Sequence, residues 1–137
     1  MIKFLDLKKK FIYLKKDIDK KIFEIINQSS FIGGPYIKKF EKNFSNYNKI
    51  DNCIGVANGT DALEISIEAL NIKKGKEIIV PSNSWISSAE AVTRNNLNVV
   101  FVDINYDNFT INIDDLNKKI TKNTSAIMVV HLFGHPC

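Results

Sequence analysis

The sequence predicts an α/β domain in three layers, αβα, with helices on both faces of a mostly parallel, doubly wound sheet. Three observations predict it. Four short apolar runs, CIGVA (53–57), EIIVP (77–81), VVFVD (99–103) and AIMVVHL (126–132), do not alternate strictly with polar residues, as strands covered on both faces require. Stretches with helical spacing lie between the runs, so strand and helix alternate along the chain. Each run also ends in polar residues, and in open α/β sheets ligands bind outside the carboxyl ends of the strands.

The elements follow in order. Phe11, Leu14, Ile18, Ile22, Ile25 and Ile26 recur at helical spacing with Lys and Asp on the other face, predicting an amphipathic helix that ends near Asn27. The segment SSFIGGP breaks that pattern, because paired glycines and Pro35 favour a loop with unusual backbone angles. A second helix carries Ile37, Phe40, Phe44 and Tyr47 on one side. Among the apolar runs, one helix spans 62–70 with Leu63, Ile67 and Leu70 on one face, and another spans about 85–95. A third begins near Asn112 or Asp114, either of which suits a cap, and contains Leu116 and Ile120. The 137 residues read as one domain, with N-terminal helices over 1–49 and an αβ part over 50–137.

Charge is divided unevenly. Residues 1–49 hold 12 lysines and 5 acids, whereas residues 50–137 hold 7 basic residues and 10 acids. A basic segment invites nucleic acid or anionic lipid, but only one arginine, Arg94, is present, and arginine is the usual bidentate reader of phosphate and base edges. The lysines therefore read as a solvated helical face, with no nucleic acid and no membrane as partners. Cys53 and Cys137 form no metal spacing and no disulfide framework, which fits a reducing compartment. No apolar run is long enough for a signal or a membrane span, and the reading is cytoplasmic.

The strand ends hold the candidate site. The first run leaves through Asn58, Gly59, Thr60 and Asp61, the second through Ser82, Asn83, Ser84 and Trp85, the third through Asp103 and the fourth through His131. At the first, Gly59 allows close approach of the backbone, the amides at the helix start face outward at the positive end of the helix dipole, and Thr60 adds a hydroxyl donor. That combination suits a phosphate. The same residues also suit an ordinary turn in which Thr60 or Asp61 caps the helix and Glu64 completes the capping pattern. Trp85, the sole tryptophan, offers either a stacking face for a flat ligand or a plug between helix and sheet. His131 reads as a substrate contact or as a hydrogen-bonded strand-end histidine, His135 as a turn residue, and Asp103 as a ligand contact or a turn cap.

The ordered set FLDL, FIGGPYIKKFEKNFSNY, GVANGTDAL, IIVPSNSWISSAEAV, VVFVDI and ITKNTSAIMVVHLFGHP resembles the DegT/DnrJ/StrS family of nucleotide-sugar aminotransferases, over nearly the whole chain. The resemblance implies the large domain of the type I aminotransferase fold and pyridoxal 5′-phosphate (PLP) as cofactor. It implies transfer of an amino group, typically from glutamate, to a keto-sugar carried on a nucleotide, by a protein that is usually a homodimer. It places the cofactor phosphate on Gly59, Thr60 and Asp61, through the Thr60 hydroxyl and the Thr60 and Asp61 amides, and the pyridine ring on Trp85. Members run well beyond the region matched here, and the lysine and aspartate that engage the cofactor ring lie in that further part. The resemblance therefore implies that these residues are an N-terminal portion, inactive alone. A dehydratase of the same family is the nearest alternative, and a non-enzymatic phosphate- or nucleotide-binding module is the alternative from another class.

Overall fold

The computed structural model describes residues 3–137, which fall into two compact units, one reaching to Gly55 and the other running from Val56 to Cys137.

The first unit consists of helices α1 (Leu7–Asn27) and α2 (Pro35–Asn48). Asp6 caps α1 by accepting the Lys9 amide at 2.9 Å, and the amphipathic spacing carries the helix to Asn27, as the sequence predicts. The loop between the helices has the unusual angles expected of it, with Ser29, Gly33 and Gly34 all at positive φ. Gly34 matters most. At φ 90° and ψ −175° it occupies a region essentially reserved for glycine, immediately before Pro35 opens α2. Glu24 accepts hydrogen bonds from Lys21 within α1, at 2.7 Å, and from the Tyr36 hydroxyl across this loop. Lys21 first, then Tyr36, holds the Glu24 carboxyl below its usual range.

The second unit is the αβ part. Its elements are α3 (Gly59–Ala69), β1 (Glu77–Pro81), α4 (Ile86–Arg94), β2 (Asn98–Val102), α5 (Ile113–Lys119) and β3 (Thr124–Ile127), followed by a short 3-10 turn at Leu132–Gly134. The three strands form a parallel sheet in the order β2-β1-β3. The central strand shows why its sequence is apolar without alternation. Ile78 and Val80 point into one cluster with Ile67 of α3, Ala91 and Val92 of α4, and Leu97 just before β2. Ile79 points the other way, into a second cluster with Val102, Ile111 and Leu116. Both faces are thus covered, by α3 and α4 on one side and α5 on the other, giving the three layers.

Two of the expected strands are corrected. The run at 53–57 forms no strand, and Ile54 within it is 80% exposed. Its composition suits a buried strand, but it pairs with neither β2 nor β3, whose outer edges stay unpaired among the described residues. The run at 126–132 pairs only as far as Ile127, with one further bond from the Met128 amide to the Ile79 carbonyl at 2.8 Å. His131 consequently lies beyond the sheet. The expected capping of α5 is resolved in favour of Asn112, which accepts the Asp115 amide at 2.9 Å.

Asp115 ties α5 back to the end of β2. Its carboxylate accepts the Asp103 amide and the Lys119 ammonium, each at 2.7 Å, and these two bonds, the backbone one first, hold its pKa below the ordinary aspartate value. Because the folded pKa is depressed, this contribution to stability is full above about pH 4 and is lost as the pH falls through the lowered value. Asp115→Asn should therefore destabilise the protein at neutral pH, with the gap from the unmodified chain closing in acid; denaturation curves taken across that pH range check the convergence. In the first unit, Gly34→Ala should cost about 1–3 kcal/mol for backbone strain, since an added Cβ would also stand 2.5 Å from Ser30 Oγ. Urea denaturation showing equal stability would contradict this account of the loop.

Candidate functional site

The site forms where two helices begin side by side at the carboxyl edge of the sheet. The first is α3. Asn58 precedes it in extended conformation, φ −162° and ψ −179°, and its Oδ1 accepts the Asp61 amide at 3.0 Å. Asn58 is therefore the cap, and neither Thr60 nor Asp61 is, although all three residue types suit the role. Glu64 does not complete the capping pattern; it lies 3.2 Å from Arg94 Nε of α4. Gly59, Thr60 and Asp61 are the first three residues of the helix, and the Gly59 and Thr60 amides find no acceptor among the described residues. The Asp61 amide, expected as a donor to an anion, is already engaged by Asn58.

Gly59 has ordinary helical geometry, so a bend does not require glycine there. Its use lies in the space it leaves open. A Cβ built on Gly59 meets nothing within 4 Å, so the helix start is open on that side.

The second helix is α4. Trp85 occupies its cap position with the side chain 77% exposed, and its carbonyl accepts the Ser88 amide at 3.0 Å. The indole does not plug a gap between helix and sheet. Ser84 and Ser88 share a hydrogen bond across this turn, with Ser88 buried. Ser87, also buried, places its Oγ 2.8 Å from Thr60 Oγ1, joining the first turns of α3 and α4. Further along, Asn95 Nδ2 donates to the Glu64 carbonyl at 3.1 Å, so the helices run in the same direction and both positive ends meet at one place. Sequence reasoning named Asn58 at the strand exit but not as the cap, and did not single out Ser87. The signal for Asn58 was its place one residue before the helix, whereas nothing local marks Ser87.

The other candidates have simpler surroundings. Asp103 accepts the amide of Ile104, its own neighbour, at 2.8 Å, which is the turn-capping role. His131 Nδ1 accepts the Cys137 amide at 3.1 Å at the start of the 3-10 turn. Among the described residues no group of three or more His, Cys, Asp or Glu is placed to hold a metal, and no helix is long and apolar enough to cross a membrane.

Two helix N-termini, unfilled amides, a hydroxyl and an exposed indole suit a small anion carrying a flat ring. The class this defines is an α/β protein with two helix N-termini meeting at the carboxyl edge of a parallel sheet. Residues 13–137 match the DegT/DnrJ/EryC1/StrS aminotransferase family, and the chain belongs to that family. It is 39% identical, over its whole length, to the dTDP-3-amino-3,6-dideoxy-alpha-D-galactopyranose transaminase of Aneurinibacillus thermoaerophilus, and spans 38% of that protein. The crystal structure of S. venezuelae DesV superposes on 99% of the chain with a TM-score of 0.93 and 35% identity, again over 37% of the larger protein. The E. coli GDP-4-keto-6-deoxy-D-mannose-3-dehydratase, solved with bound hydrated PLP, superposes on 84% of the chain and 31% of its own, with a TM-score of 0.78 and 33% identity.

If Asn58 is the cap that starts α3, Asn58→Ala should cost about 1 kcal/mol and Asn58→Gly only a few tenths. Equal losses from the two, read by denaturant titration, would show that the Asp61 contact carries no capping energy.

Proposed function

We propose that residues 56–137 supply the cofactor-phosphate portion of a PLP-dependent aminotransferase acting on a nucleotide-linked keto-sugar, with an amino acid such as glutamate as donor. The single observation that carries this reading is the meeting of the α3 and α4 N-termini, where Thr60 is bonded to Ser87 and Trp85 stands exposed two residues before Ser87. Family membership and the sugar-transaminase relative support the reaction class. A homodimeric, cytoplasmic protein belongs to the same proposal.

The residues fit the group by their chemistry. The Gly59 and Thr60 amides and the Thr60 hydroxyl would donate to the phosphate, at a helix end whose dipole favours a dianion. The Asp61 amide joins them only if Asn58 turns its side chain away. Trp85 would lie against the pyridine ring, holding it flat and shielding one face from water. Bound PLP supplies the electron sink that amino transfer requires. What this chain contributes is retention and orientation.

The dehydratase reading stays beside this one because the chain is similar to a dehydratase solved with PLP. The phosphate and ring contacts proposed here serve either reaction, so the cofactor is tested before the chemistry.

Pyridoxamine 5′-phosphate (PMP) is the better probe, since it carries an amine in place of the aldehyde and cannot condense with the 18 lysines. Titrated into the chain, it should quench the emission of Trp85, the only tryptophan, saturably and in competition with inorganic phosphate. By calorimetry Thr60→Val should weaken PMP binding by about 1–3 kcal/mol, the worth of a hydrogen bond to a charged group. Trp85→Ala should cost about 1 kcal/mol from lost stacking. Absence of saturable binding in the unmodified chain would contradict the assignment of the site.

A further inference from the structure

We propose that Ser87 is a positioning residue for the Thr60 hydroxyl, donating its own proton to Thr60 Oγ1 so that the Thr60 O–H is turned outward to an anion. The proposal rests on the phosphate reading given above and concerns how that phosphate is recognised.

The two oxygens lie 2.8 Å apart although the residues are 27 positions apart in sequence. Each hydroxyl has a single proton, so only one of the two donates in this pair. Burial decides which. Ser87 is 9% exposed, and among the described residues Thr60 Oγ1 is the sole partner of its hydroxyl. A buried O–H that fails to donate is penalised, whereas Thr60 is only half-buried and has outside partners for its own proton. The favourable arrangement is Ser87 as donor and Thr60 as acceptor. The Thr60 proton is then free to point away from the protein, beside the unfilled Gly59 and Thr60 amides. A threonine hydroxyl near a helix start otherwise divides between rotamers. The contact with Ser87 holds one of them before any ligand arrives, which removes part of the ordering cost of binding.

Both residues occupy the second position of their helices, so both sit at a positive dipole end. A donated hydrogen bond also polarises the hydroxyl that receives it, making Thr60 a stronger donor to a dianion. Alanine would be the better helix former at position 87. Serine there is explained by its contact across to α3.

Calorimetry on the full chain with two ligands, PMP and pyridoxamine, tests this, because the second lacks only the phosphate. Ser87→Ala should weaken PMP binding by about five- to tenfold and leave pyridoxamine affinity unchanged. In the Thr60→Val background the same substitution should cause no further loss, since its effect passes through the Thr60 hydroxyl. Ser87→Cys, similar in size but a weaker donor, should fall between serine and alanine. Unchanged PMP affinity in Ser87→Ala, or an equal loss with and without Thr60, would overturn the proposal. If Ser87→Ala loses its helical circular dichroism, Ser87→Cys decides, and wild-type affinity in that variant overturns it. An unmodified chain that binds no PMP refutes the cofactor reading, and the role of Ser87 falls with it; binding that ignores Ser87 refutes the positioning role alone.

Discussion

Everything proposed for the αβ unit depends on α3 and α4 lying side by side, in the same direction, on one face of the sheet. Ile67 from α3 and Ala91 and Val92 from α4 are packed with Ile78 and Val80 of β1, so the two helices share one apolar floor. Burial of these side chains, at about 1.5–3 kcal/mol for each large one, dominates the energetics of the unit. The polar contacts at the helix starts are weaker and more specific. They fix where Thr60 sits relative to Ser87 once the apolar packing has brought the helices together.

This division of labour explains why the proposed site lies at this edge. The packing brings two positive helix ends together, with amides that have no partner inside their own helices. Water satisfies such amides adequately, so the fold does not depend on a ligand. An anion satisfies them better, and the open space beside Gly59 lets it approach. The exposed indole of Trp85 adds an apolar surface at the start of α4, a feature suited to a molecule with a charged end and a flat ring.

Much of this was legible in the sequence. Among the described residues, periodicity located the five α-helices and unbroken apolar composition located β1 and β2, with β3 caught only at its last two residues, because both signals arise from residues near one another in the chain. The run at 53–57 misled because apolar composition alone does not decide strand pairing, and the run is exposed and unpaired here. The helix start at 58–61 was recognisable, but Asn58, Thr60 and Asp61 are all capping residues, and only the extended backbone at Asn58 distinguishes them. Ser87 was invisible for a different reason. A serine in the first turn of a helix reads as a polar surface residue, and its burial against Thr60 exists only after α3 and α4 have packed. His131 was placed at a strand end because the apolar run continues past Ile127, where the pairing with β1 stops.

The central claim, that the first turn of α3 receives a phosphate, is tested most directly by amide chemical shifts in an isotope-labelled chain titrated with pyridoxamine 5′-phosphate. The account expects large downfield changes at the Gly59 and Thr60 amides, with a smaller one at Asp61, whose amide already bonds Asn58. Changes confined to residues away from positions 58–61 and 84–88, or none at saturating ligand, would contradict it.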